Sequence, residues 1–137
     1  MDANQLQQDL TLFFHELGHS LTASALGYTS TISQHPEEGW QSVVDWKEDT
    51  PFEHVLWVTA GGLLFGENVG IDCTHDREFL SSVPHHTIET ILERVEQPVL
   101  QWIDNQSREG MLEATKLIKA GRSVHLKANL ISIPEVH

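Results

Sequence analysis

Apolar residues recur along the first part of the chain in two rhythms, and each rhythm predicts an element. Leu6, Leu10, Phe13, Leu17, Leu21 and Ala25 follow one another at three- and four-residue steps. That spacing gathers them on one stripe of a helix, predicted from about residue 4 to Leu26. Gly27 stands where a left-handed C-cap residue is wanted. "YTSTIS" at 28–33 and "WQSVVDW" at 40–46 then turn to β-prone, alternating patterns. The turn-rich "QHPEEG" between them predicts a hairpin or a pair of edge strands.

Helical periodicity returns at Pro51, a good first-turn residue, and continues through "FEHVLWVTAGGLLFGEN". Gly61 and Gly62 weaken such a helix, so their presence argues for close approach of another backbone. "NVGIDC" interrupts the pattern, and Thr74 is placed to cap a short third helix, "HDREFLSS". A fourth, over about 85–105, carries Ile88, Ile91, Leu92, Val95, Val99, Trp102 and Ile103 on one face, with a kink expected at Pro98. A fifth runs from about Ser107 to Ala120 and stops at Gly121; the tail "SVHLKANLISIPEVH" reads as a weak strand or loop. The expected class is α+β, mostly helical, with a small β-hairpin or sheet beside the first helix.

Composition narrows the partners. At 137 residues the chain suits one domain, 1–137, with a real core. Eight basic against twenty acidic residues give a net charge of −12, which argues against nucleic acid or an anionic membrane as partner. Cys73 is the only cysteine, so no disulfide framework is expected and a reducing compartment fits. "MDANQLQQDL" has no basic or apolar leader character, and the apolar run at 55–66 is too short to span a bilayer. The expected location is cytoplasmic, with no membrane insertion.

The first helix also carries "HELGH", an H-E-x-x-H pattern. At about 100° per residue His15 and His19 fall nearly opposite the apolar stripe, one turn apart, so two imidazoles can face one point. Leu12, Ala23 and Leu26 flank them, and this is not a plainly solvated face. Two unpaired histidines and a glutamate are costly in such surroundings, whereas metal ligation accounts for all three. Zn2+ accepts imidazole nitrogens at about 2.0–2.1 Å and lowers the pKa of a bound water towards 7. Glu16 is turned away from the ligand direction but within reach of that water, the position of a general base. A third protein ligand is needed, and Asp76, Glu67, Asp72, His75 and His54 are the candidates. Cys73 is better explained as packed than catalytic, because Asp72 and Asp76 offset the pull of Arg77 on a thiolate. The four tryptophans read as core or groove walls.

"FFHELGHSLTASALGY", then "TAGGLLFGENVG", then "DCTHDREFL" resembles, in that order, the protease domain of the FtsH-type (M41 family) zinc metallopeptidases. The resemblance covers roughly residues 9–80. It implies a zincin-like helical domain with His15 and His19 as zinc ligands, Glu16 as base and Asp76 as third ligand. Glu67 is its rival, or a carboxylate behind the ligands. In that family the domain follows a membrane anchor and an ATPase module; here a free-standing domain is expected. The expected function is zinc-dependent hydrolysis of peptide bonds, with a peptide or unfolded protein as substrate and homo-oligomerisation left open. The rival expectation is a non-catalytic binding or structural module that keeps the zinc site.

Overall fold

The computed structural model describes residues 3–68, 70, 73–106 and 108–132. Helix α1 (Ala3–Ala25) is followed by strands β1 (Ser30–His35) and β2 (Gly39–Val44) and helices α2 (Phe52–Asn68) and α3 (Thr74–Leu80). Helices α4 (His85–Asp104) and α5 (Arg108–Lys119) and strand β3 (Val124–Leu126) complete the order. The class is α+β, mostly helical, with one small antiparallel sheet of order β2-β1-β3.

Helix α1 is the hub. It packs on α2, on the sheet and on both C-terminal helices. Its stripe of Phe13, Leu17 and Leu21 is buried with Ile32, Val99 and Ile118, and each such side chain contributes about 1.5–3 kcal/mol on burial. On its other side Ser20, Thr22, Ala23 and Ser24 are buried too, so the helix is enclosed on both faces. Small residues make this feasible, because neighbouring backbones can come close without leaving voids.

The helix ends follow the glycine signals. Gly27 has φ +94, with Gly27 N–H donating to Ser24 O and Tyr28 N–H to Ala23 O, the Schellman pattern that stops α1. Gly121, φ +82, stops α5 in the same way through Arg122 N–H to Leu117 O.

One detail differs from the sequence expectation. Cys73, not Thr74, occupies the N-cap position of α3 and makes no side-chain cap bond; Thr74 is the first helical residue. Pro98 lies inside helix α4, as the sequence places it. Of the two alternatives for the tail, the short strand is the one formed: Ser30, Thr31 and Ile32 pair with Leu126, His125 and Val124. That pairing is long-range and joins the C-terminal region to the β-hairpin, so no local pattern announces it. The tail then returns to α1, with Asn129 N–H donating to Ser24 O and Leu130 N–H to Ser24 Oγ. Residues 133–137 of the tail lie outside the described residues. Among the described residues, no helix is long and apolar enough to cross a membrane.

Candidate metal centre

The contact between α1 and α2 builds the centre. A Cβ on Gly62 would fall on the His19 ring, and one on Gly66 would meet Cys73 Sγ and His15 Nδ1 at 2.5 Å. With no side chain at either position, both imidazoles reach the α2 backbone. His15 Nδ1 lies 2.8 Å from Gly62 O, and His19 Nδ1 lies 2.8 Å from Val58 O. A carbonyl oxygen only accepts, so each Nδ1 carries the ring proton and donates it. The two Nε2 atoms are then left with lone pairs, fixed in direction by the bond behind each ring. One turn of α1 is thereby matched to one turn of α2, running the opposite way.

Asp76, in the first turn of α3, closes the group. Its Oδ2 lies 3.5 Å from His15 Nε2 and 3.4 Å from His19 Nε2. The same atom is buried and has no hydrogen-bond partner. These separations exceed the about 2.7–2.9 Å of a charge-assisted N–H···O bond. They match instead the spacing of two ligands on a tetrahedral ion, which is about 3.3–3.4 Å for metal–ligand bonds of about 2.0–2.1 Å. The three donor atoms all lie within 4.8 Å of one another. Two neutral imidazoles and a carboxylate are a donor set that suits zinc. The residues fit a cation, and a buried carboxylate oxygen without a partner is otherwise costly.

Glu16 lies beside this group, outside it, with Oε1 4.0 Å from His15 Nε2. Burial raises the Glu16 carboxyl from its ordinary 4.5 to about 7; the His19 charge lowers it, the Asp76 charge raises it and the Ser42 backbone N–H lowers it. Burial also lowers His15, helped by the charge of His19, against the Gly62 carbonyl and Asp76. For His19 burial is again the largest influence and acts downward, but the nearby Asp76 carboxylate, the Glu16 charge and the Val58 carbonyl together raise it. One turn beyond Glu16, the fully buried Ser20 shares a 2.6 Å hydroxyl contact with Ser42. Residue 42 of β2 is therefore tied to α1 twice, by its amide and by its side chain.

The other candidates for third ligand stand elsewhere. Glu67 is 40% exposed and pairs with Arg77 at the surface. His54 Nδ1 is engaged with the Tyr28 hydroxyl at 2.6 Å. His75 is exposed, and Asp72 lies outside the described residues. Cys73 is buried on the Nδ1 side of His15, at 4.0 Å, away from the point where the Nε2 atoms converge. Trp40 and Trp46 line a cleft beside Glu16 and His19, whereas Trp57 belongs to the core under α4.

Sequence reasoning missed the carbonyls of Val58 and Gly62, the Ser42 amide and the Ser20 hydroxyl. The Gly61-Gly62 pair was the available signal for the first two: it marks where α2 meets another backbone. Nothing in the spacing of Ser20 and Ser42 could have joined them. No protein-family model, curated protein or solved structure matches the chain. The resemblance to FtsH-type protease domains therefore rests on the order of the motifs.

Proposed function

We propose that this chain is a zinc-dependent metallopeptidase of zincin type, similar to an FtsH-type protease domain, that hydrolyses peptide bonds in unfolded or flexible chains. The observation that carries the reading is the convergence of His15 Nε2, His19 Nε2 and Asp76 Oδ2, with the Glu16 carboxyl next to them but outside the group. Zinc held by these three would supply a Lewis acid and lower the pKa of water at the site.

The chain's own groups supply the rest. The Gly62 and Val58 carbonyls hold the imidazole Nδ1 protons, so both rings keep their Nε2 lone pairs turned inward. Glu16 takes a proton from the attacking water on its carboxylate and passes it to the leaving amide nitrogen. Because water is the nucleophile, no acyl-enzyme forms. Strand β2 is an edge of the sheet, and an extended substrate can pair along it. Among the described residues the group offers three donors, and a catalytic zinc site needs a fourth position free for water or substrate.

Metal analysis and a peptide-cleavage assay test this together. Protein purified without chelator should contain about one zinc per chain. Glu16→Gln should keep the zinc and lose cleavage of unfolded substrates. No zinc in the purified chain and none taken up on addition would refute the metal centre. Zinc with equal cleavage in the variant would remove Glu16 from the mechanism.

A further inference from the structure

Helices α2 and α4 enclose a cavity of about 210 Å³ that shares no lining residue with the metal centre. Leu56 and Trp57 of α2 and Ile91 and Arg94 of α4 form its walls, with Glu53 also among the lining residues. On each helix these side chains recur at steps of three or four residues, so each helix turns one stripe towards the cavity.

Two donors here lack an acceptor. Trp57 is only 8% exposed, and its indole N–H is buried without a hydrogen-bond partner. That group can only donate, and leaving it unpaired in the interior costs free energy. Arg94 places its guanidinium over the same ring, with Cζ 5.4 Å from the ring centroid. Among the described residues it pairs with no carboxylate, although the chain has twenty acidic residues against eight basic ones. The attraction of a cation for an indole face accounts for where Arg94 lies. It supplies neither donor with an oxygen.

The remaining walls narrow the ligand. Leu56 and Ile91 are buried and aliphatic, so they gain from contact with carbon and offer no hydrogen bond to an anion. An apolar cavity of about 150 Å³ is enough for benzene, so this one takes a body of that size with a carboxylate attached. Glu53 is exposed and repels a second negative charge, which disfavours phosphate and dicarboxylates.

We propose that the α2–α4 cavity is a binding site for an apolar monocarboxylate. Arg94 and the Trp57 N–H hold its carboxylate, and Leu56 and Ile91 hold a ring or branched chain. A free organic acid and the last residue of a peptide share this chemistry. The site is independent of the peptidase reading, and its occupation needs neither zinc nor catalysis.

The test is an NMR titration of the full, isotope-labelled chain with phenylacetate, read at the indole N–H signals. The Trp57 signal is identified as the one missing from Trp57→Phe. Phenylacetate should shift it saturably, with a Kd on the order of 1 mM. Phenylacetamide, which keeps the shape without the charge, and acetate, which keeps the charge without the ring, should each bind at least about tenfold more weakly. Inorganic phosphate should leave the signal in place. Arg94→Met should weaken phenylacetate at least about tenfold and leave phenylacetamide unchanged, a selectivity that mere loss of packing would not produce. A peptide ending in a free Phe carboxylate separates the two sources: an equal shift assigns the site to chain ends, and no shift assigns it to free acids. No saturable shift with phenylacetate up to about 20 mM overturns the proposal. So does equal affinity for the acid and its amide in the wild type, a comparison that needs no variant to fold.

Discussion

Replacing Glu16 by Gln perturbs the metal-free protein in a way that tests the electrostatics of the centre without any assay of activity. The Glu16 carboxyl rises on folding from its ordinary 4.5 to about 7, chiefly because burial disfavours the anion. An acid raised by folding holds its proton longer in the native state than in the unfolded chain. Stability is therefore undiminished below pH 4.5, falls as pH rises between the two values, and is lowest above about 7. The rise corresponds to about 3 kcal/mol at pH 8 and about 2 kcal/mol at pH 6, each factor of ten in proton affinity being about 1.36 kcal/mol. Gln carries no charge to desolvate and keeps an oxygen for the Ser42 N–H. The variant should thus be more stable than the wild type by up to about 3 kcal/mol at pH 8, a shift of roughly 10 °C in Tm, and equal to it below pH 4. Near pH 6 the gain is smaller, about 2 kcal/mol, because the folded carboxyl then keeps its proton and the penalty is only that of protonating it. Urea unfolding of chelator-treated protein at pH 4, 6 and 8 measures the difference. Adding zinc should narrow the gap, since a cation beside Glu16 favours its ionised form. Parallel stability curves for the two proteins, or a wild type more stable at pH 8, would refute the reasoning.

Other substitutions probe the geometry. Asp76→Ala should weaken zinc binding by at least about 100-fold, whereas Glu67→Ala should leave it unchanged; competition with a chelating dye decides, and the opposite result moves the third ligand to Glu67. Gly62→Ala places a methyl group on the His19 ring, so it should cost about 1–3 kcal/mol by overpacking and lower zinc affinity as α2 is pushed from α1. Thermal melts and zinc titration of that variant should change together. Lys119→Met removes the cationic partner of Asp9, whose side chain is 2% exposed and lies 2.7 Å from Lys119 Nζ, and leaves it the longer bonds from Gln5 Nε2 at 3.4 Å. A buried carboxylate without its counter-charge should cost about 3 kcal/mol in urea unfolding, and Asp9→Asn in the same background should recover most of it.

The sequence by itself determined the helices and the first half of the centre. Phe13, Leu17 and Leu21 repeat at helical spacing, and the same periodicity turns His15 and His19 to one side. Gly27 and Gly121 marked the helix ends because a positive φ favours glycine, and Gly61-Gly62 marked a close approach because nothing else fits there. Such signals are local: each depends on bond geometry within a few residues. The tertiary structure decided what meets across the chain. It brought the Asp76 carboxylate to the two Nε2 atoms while Glu67 turned to Arg77, a choice that the chemistry of the two carboxylates left open. It set the Val58 and Gly62 carbonyls behind the imidazoles, joined Ser42 to both Ser20 and Glu16, and added β3 to β1. These contacts depend on how helices and strands pack against one another, a property of the whole core. Burial is likewise collective, so the raised carboxyl of Glu16 could be read only once the sheet and α2 had closed over it.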